Sequence, residues 1–469
     1  MPKMSFRKSR DFPLICRLNP SLQNHLVIMF KCYFSILILS CSSLVSAEQD
    51  LLSMYKLAEQ NDPLFAQVQY QQNIADEIWW QRMGKLLPGI GLSASTSQDH
   101  INNTRDTFQG KGYQKFRNSN FSIDFVQPLV HWDFWVELNQ ADNIIAKSES
   151  DFYFEQQSLM VRVSEAYFNV LASQDKYNFS TSEKLAIKQE LEQAKESLVV
   201  GLGSQTDVYE AESAYAAAVA SEIEAFNELD DSKELLKEIV GDIDIDLKKV
   251  GSVIPLVSPV PEDMNEWASI ALQNNLEIIS AFNTLEISRK EIYRLWNGHL
   301  PTIDLVGNYA LTQNKSSFGL EGDAGSIGVQ LNLSIFEGGT TQARIREAEY
   351  QFKIEQQKLE STKRQVKKEV RNAYRGILSD VSRIKALKTA VSASEQAVQG
   401  VRMAFREGTR TLVDVLIEQR ALYRNRIDYA DARYTYLLHG LSLKKGASSL
   451  SLDDLKVING LLKTEDFRG

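Results

Sequence analysis

The sequence predicts an α+β membrane protein, with four strands per chain belonging to a barrel that several copies share. Two very long helical hairpins are joined to those strands. Three observations carry this reading. The chain repeats itself at an offset of about 207 residues, each copy switches from two-residue to helical periodicity, and each copy holds a proline-free stretch long enough for one helix of about 100 Å.

The repeat is visible residue by residue. VSEAYFNVL, with Ala166 and Tyr167, matches VRNAYRGIL, with Ala373 and Tyr374. VGLGSQTDV begins at Val200 and its copy EGTRTLVDV begins at Glu407. Ala166 to Ala373, Gly201 to Gly408 and Asp207 to Asp414 all keep one offset, so no gap intervenes.

At the N-terminus, Lys31 precedes the only strongly apolar segment, residues 32–45, and Val45-Ser46-Ala47 follows it. A basic flank, a short apolar core and a small-x-small end describe a secretory leader. The core falls short of the roughly 20 apolar residues a spanning helix needs. Cleavage after Ala47 is expected, with Met29 as a better start than Met1. Ile38-Leu39-Ser40-Cys41 loosely resembles a lipoprotein signal, but Leu39 fits it poorly. All three cysteines (Cys16, Cys32, Cys41) precede Ala47, so the mature chain has neither a disulfide framework nor a thiolate metal site. The leader holds six Lys/Arg and one acid, so its removal takes the net charge from −9 to −14. An acidic exported chain is a poor binder of nucleic acid, which requires cations against phosphates.

Neither proline nor glycine occurs between His131 and Val200, while Phe152, Leu159, Val163, Ala166, Tyr167, Val170 and Leu171 recur at helical spacing. The copy over residues 340–407 is interrupted only by Gly376 and Gly400. Each long helix ends at a glycine turn, where positive φ closes a C-terminus. A second helix returns from each turn, over about 206–239 and 411–445. Upstream, the period becomes two. Ile90, Leu92 and Ala94 alternate with small residues, and Phe121, Ile123 and Phe125 with Ser122 and Asp124. Ile303 to Leu311 and Ile327 to Ile335 alternate likewise, and Pro88 and Pro301 open the first strand of each pair. Polar segments 100–117 and 314–325 link the strands.

Alternation alone would suit a soluble sandwich. Export and a strand length of about ten residues suit a membrane barrel. Four strands cannot close a barrel, and lipid does not tolerate an open edge, so several copies must share one. Residues 1–47 are then the leader, 48–240 the first repeat, 241–261 a proline-bearing linker, 262–446 the second repeat, and 447–469 a C-terminal segment.

Leu86-Leu87-Pro88 and its copy His299-Leu300-Pro301-Thr302, Ser334-Ile335-Phe336-Glu337-Gly338-Gly339, and Gly408-Thr409-Arg410-Thr411-Leu412-Val413-Asp414-Val415-Leu416, set in the duplicated order strand, strand, long helix, turn, helix, resemble the TolC family of outer-membrane efflux and secretion channels. The resemblance covers essentially the whole mature chain. It implies a homotrimer in the outer membrane, with a 12-stranded β-barrel of four strands per chain set in lipid. Below that it implies a periplasmic α-helical barrel with a mixed equatorial domain built from 241–261 and the C-terminal segment. The implied partners are a periplasmic adaptor and an inner-membrane transporter, with no cofactor.

No catalytic set emerges. His100, His131, His299 and His439 are scattered, and Gly201-Leu202-Gly203 lacks the rest of a phosphate loop. The resemblance instead directs attention to the hairpin tips. Thr206 and Asp207 match the family's linking threonine and acid, and Arg410 matches the arginine tying the second hairpin to them. Phe405 stands where the family has a linking tyrosine. Asp414 matches the first acid of a pore-constricting ring, Ile417 replaces the second, and Glu418 is a displaced candidate for it. Each of these charges has the alternative of a solvated helix-surface residue, worth little as an exposed pair. Trp132 and Trp135, just past the second strand, are expected either in an interfacial aromatic belt or in packing at the strand-to-helix junction. An exported coiled-coil scaffold is the competing functional class.

Overall fold

The structure, a computed structural model, describes residues 49–105, 112–251, 254–315 and 321–463. The leader, the choice of start, and the choice between Cys41 and Ala47 lie outside the described residues. The first repeat runs α1 (Leu51–Asn61), α2 (Pro63–Gly84), β1 (Gly89–Asn103), β2 (Gly112–Val130), α3 (Trp132–Val199) and α4 (Gln205–Val240). After the short β3 (Lys249–Val250), the second runs α5 (Met264–Asn274), α6 (Leu276–Trp296), β4 (Thr302–Asn314), β5 (Glu321–Asn332), α7 (Thr340–Arg406) and α8 (Leu412–Gly446). The chain closes with α9 (Leu452–Asn459) and β6 (Leu462–Lys463).

The lead-in helices are broken at matching points. Asp62 Oδ1 accepts from the backbone N–H groups of Leu64 and Phe65, capping α2 with Pro63 at its first position. Asn275 Oδ1 does the same for Glu277 and Ile278 at the start of α6. Both caps are buried, at 3% and 2% exposure, so their acceptors replace water that cannot reach these helix starts.

All four long strands form one antiparallel sheet in the order β1-β2-β4-β5. Its register aligns the apolar residues into rows. Leu92 faces Ile123, Ile123 faces Tyr309, and the neighbouring row joins Ile90, Phe125, Gly307 and Ile327. Below them Leu305 meets Val329, and Ile303 meets Leu331. The result is a single apolar face whose rows, from Ile303 to Leu311, cover about 26 Å along the strand. Nothing described covers this face. Ile90 is 75% exposed and Ile327 78%. The opposite face is polar and cross-linked by Ser93–Ser122, Asn308–Asp124 and Thr312–Asn120 hydrogen bonds. Among the described residues, the outer edges of β1 and β5 have no partner strand.

Strand boundaries differ from the sequence expectation in β1, β2 and β5, the last of which already starts at Glu321 inside the expected link 314–325. β1 and β2 continue into the segment expected to be a loop, because the ladder persists with polar pairs such as His100–Lys115, where alternation of hydrophobicity disappears, and a Tyr113–His100 side-chain hydrogen bond ties the two strands. β5 stops at Asn332, short of Ile335. There Ser334 donates to Glu337 and the backbone turns through Gly338 and Gly339, both with positive φ, into α7.

Below the sheet, α3 packs against α4 on one side and α8 on the other, and α8 packs against α7. The order across this layer is therefore α4-α3-α8-α7. At 68 residues, α3 is about 100 Å long. Gly376 and Gly446 allow α7 and α8 to approach closely: a Cβ at Gly446 would lie 2.7 Å from Val370 Cγ2. At the sheet-to-helix junction, buried Glu137 of α3 takes Arg82 at 2.6 Å and Lys85 at 2.5 Å, with Arg294 at 3.8 Å, joining α2 and α6 to it. Trp132 and Trp135 are about half exposed here.

The largest core lies midway along the helices. It gathers α1, α3, the end of α4, α8, Ile245, Leu247 and Ile254 of the mid-chain segment, and α9, around fully buried Tyr55, Tyr167 and Phe168. Lys249 pairs with Lys463 and Val250 with Leu462, so the mid-chain segment and the C-terminal segment share a two-stranded sheet. No described helix is both long and apolar enough to cross a membrane.

Candidate functional site

The two hairpin tips are built by the same local chemistry. α3 ends where Leu202 and Gly203 donate backbone N–H groups to Ser197 O, with Gly201 at φ +75°. α7 ends where Gly408, at φ +74°, donates to Phe405 O and Thr409 to Ala404 O. Each returning helix then opens with a capping box. Ser204 accepts from Asp207 N, and Asp207 accepts from Ser204 N at 3.0 Å. Thr411 and Asp414 repeat the pattern, with Thr411 N donating to Asp414 Oδ2 at 3.0 Å. The duplicated aspartates thus share a structural role that Ser/Thr-x-x-Asp spacing encodes.

Hydrogen bonds from the Thr411 backbone and then its hydroxyl, aided by Arg410, hold the Asp414 carboxyl below its ordinary range, against a smaller opposing effect of burial. Arg410 lies 4.0 Å from Asp414 and is 60% exposed. No ion pair between Asp207 and Arg410 is formed within the chain among the described residues. Each acid is instead turned toward its own helix start. Thr206 is exposed on the first turn of α4. Phe405 packs partly buried against the tip core, and so contributes contact area where a tyrosine would offer a hydroxyl. Ile417 is 58% exposed and lies one turn from Asp414 on the outward side of α8, while Glu418 is half-buried beside it.

Sequence reasoning missed what joins the two hairpins. Glu190 of α3 is 4% exposed, and its Oε1 receives Arg402 of α7 at 2.7 Å and Gln419 Nε2 of α8 at 3.1 Å. Glu190 Oε2 and Gln419 Oε1 are buried without a partner. Farther from the tip, Tyr423 donates to Ser182 O at 3.2 Å and Tyr434 to Asp175 Oδ2 at 2.7 Å, both from α8 to α3. Burial first, and then the Asp175 charge, pushes the Tyr434 hydroxyl well above its ordinary range, so it remains a donor. The available signal was polar residues in apolar register. Glu190 falls between Ile187 and Ala194, and Gln419 three residues after Leu416.

The apolar core around these links is thin. It comprises Ile187, Leu191 and Ala194 from α3, Val208, Ala211, Ala214 and Ala218 from α4, and Leu412 and Leu416 from α8. Alanine buries little area. Segments with few buried apolar contacts lie at the low-stability end of a structure, and the tips are held by less apolar burial than the mid-helix core.

Comparison with known proteins places the whole architecture. The family model described as "Outer membrane efflux protein" matches residues 54–242 and 267–445. The outer membrane protein TolC of Vibrio cholerae serotype O1 is 33% identical over 430 residues, covering 90% of this chain and 95% of that protein. The proteases secretion protein PrtF of Dickeya chrysanthemi is 25% identical over 437 residues, covering 91% and 94%. Among solved structures, the Campylobacter jejuni CmeC outer membrane channel superposes with a TM-score of 0.76 at 14% identity, covering 90% of this chain and 91% of that one.

Proposed function

The chain belongs to the outer membrane efflux protein family, and on that premise we propose that it is the outer-membrane exit duct of a tripartite efflux pump or a type I secretion system. Three copies form a 12-stranded barrel, and their helical hairpins continue it as a tunnel across the periplasm. Residues 1–47 are removed on export, and 48–240 and 262–446 act as two structural repeats. Residues 241–261 join 447–469 in an equatorial belt.

The observation that carries this reading is the sheet: one uncovered apolar face, one polar face, and two open edges. In lipid, every backbone N–H and C=O must be paired within protein. Closing β5 of one copy on β1 of the next satisfies both edges, with the apolar face outward. A soluble scaffold would leave the same face in water, so the scaffold reading is not favoured. Conduction is passive: the duct supplies no energy and opens when a periplasmic adaptor and an inner-membrane transporter engage its tips.

In this account the tips are the gate. Arg410 reaches the Thr206–Asp207 start of the neighbouring hairpin in the assembled ring, where its exposed guanidinium is free to turn from Asp414. Asp414 from three copies narrows the pore, and Ile417 lines it one turn farther on. Glu190, Arg402 and Gln419 hold the two hairpins of each chain together behind that ring. Planar-bilayer conductance of the purified protein tests the reading: Arg410→Ser is expected to enlarge the resting conductance. A pore that is absent, or unaltered by that change, would count against it.

A further inference from the structure

We propose that neighbouring copies are joined at equatorial height by an electrostatic seam between a basic stripe on α7 and an acidic edge formed by α4 and the segment after it. This rests on the shared-barrel reading and specifies the chemistry of its subunit contact.

Topology sets the juxtaposition. Across the sheet the order is β1-β2-β4-β5, and across the helical layer it is α4-α3-α8-α7. The first repeat occupies one flank in both layers and the second repeat the other. Closing the sheet edge β5 on β1 of the next copy therefore brings α7 against the next copy's α4.

The charges on those two flanks are opposite. Arg364, Lys367, Lys368, Arg371 and Arg375 lie on the side of α7 away from its buried stripe of Leu359, Val366, Val370 and Ile377. Of these five, Arg364 has an ion pair, with Glu360 at 2.9 Å. Arg371 donates to Asn265, and Arg375 to Asn372 and to the Arg371 carbonyl, none of which neutralises them. On the other flank, Glu234 and Glu238 project from α4. The extended run that follows alternates Ile243, Ile245 and Leu247, turned toward the core, with exposed Asp242, Asp244 and Asp246. Lys237 lies beside this edge, 2.8 Å from Glu234 and 3.9 Å from Asp242, with Lys233 earlier on α4 and Lys248 after Asp246.

The heights agree as well. Each hairpin is held in register by its own pairs, Lys184–Glu222 in the first and Arg426–Glu395 in the second. The stretch from Gly201 to Glu234 equals that from Arg375 to Gly408, and Tyr434–Asp175 keeps the two hairpins level. In a lone chain each flank repels itself; side by side, each neutralises the other.

The test compares three full-length variants with wild type in detergent: Lys368→Glu/Arg371→Glu/Arg375→Glu, Glu238→Lys/Asp242→Lys/Asp244→Lys, and the two combined. Each single-flank reversal is expected to lower the temperature at which the trimer dissociates, and the combination to restore it. Wild type should dissociate at lower temperature as salt rises. Zero-length carbodiimide coupling of unmutated protein should join Lys367 or Lys368 of one copy to Asp242, Asp244 or Asp246 of the next. A wild-type trimer whose dissociation ignores both reversals, or which yields no such interchain peptide, overturns the seam and leaves the channel intact. Reversals that abolish co-purification of an adaptor while sparing the trimer also overturn it. Wild-type protein that is monomeric refutes the shared barrel and the seam together.

Discussion

Removing the Arg402 guanidinium should loosen the closed tip more than any change to an exposed tip charge. Glu190 is 4% exposed and its Oε2 lacks a hydrogen-bond partner, and among the described residues Arg402 is the cation paired with this carboxylate. Stripping one partner from a fully buried pair costs about 3–5 kcal/mol, because the remaining charge stays desolvated. Arg402 is 36% exposed, and water entering along its path would reduce that to about 2–3 kcal/mol. Spent on the contact between hairpins, this shifts the closed-to-open balance of each chain by about 30- to 150-fold. Arg402→Ala is therefore expected to raise the resting conductance in planar bilayers and to speed hydrogen exchange at the tips of α3 and α8. Adding Glu190→Gln should recover much of the loss, since a neutral amide can pair with Gln419 without needing a cation. Wild-type conductance and exchange in Arg402→Ala would refute the reasoning. A double variant as leaky as Arg402→Ala would show that the buried carboxylate is not the cause.

Three further outcomes follow from the structure. Asp414→Asn keeps an oxygen acceptor for the Thr411 N–H but removes the ring charge, so block by multivalent cations should weaken while the helix start survives; unaltered block would remove Asp414 from the constriction. Because folding lowers the Asp414 pKa, its contribution is complete above the ordinary carboxylate value of about 4 and is lost as pH falls through the depressed one. Tip exchange should consequently be flat from pH 7 to about 5 and rise only in stronger acid, and loosening already near pH 6 would contradict this. Gly446→Ala places a methyl 2.7 Å from Val370 Cγ2 and should destabilise by about 1–3 kcal/mol, with Val370→Ala restoring most of it in thermal unfolding.

The long helices were legible because proline is absent from both and glycine interrupts only the second, at Gly376 and Gly400, while apolar residues recur at helical spacing. The sheet was legible only within its apolar band. Where the ladder continues through Thr96, Ser119, His100 and Tyr113, polar residues occupy most positions of both faces and period two carries little signal. The tip aspartates were singled out by position, but their Ser204–Asp207 and Thr411–Asp414 capping boxes were overlooked although the spacing states them. Glu190, Arg402 and Gln419 come from three helices brought together by tertiary packing, and local sequence does not say which helix lies beside which. The same holds for the pairing of β3 with β6, two residues each and far apart in the chain.

The central claim is that three copies close one barrel through β1 and β5. Because all three cysteines precede Ala47, Ser93→Cys on β1 can be combined in turn with Ala324→Cys, Ser326→Cys and Gly328→Cys on β5, and oxidised in intact membranes. The account predicts an interchain disulfide in at least one combination and a covalent ladder that ends at three chains. Monomer alone in every combination, or a ladder continuing past three, would contradict it.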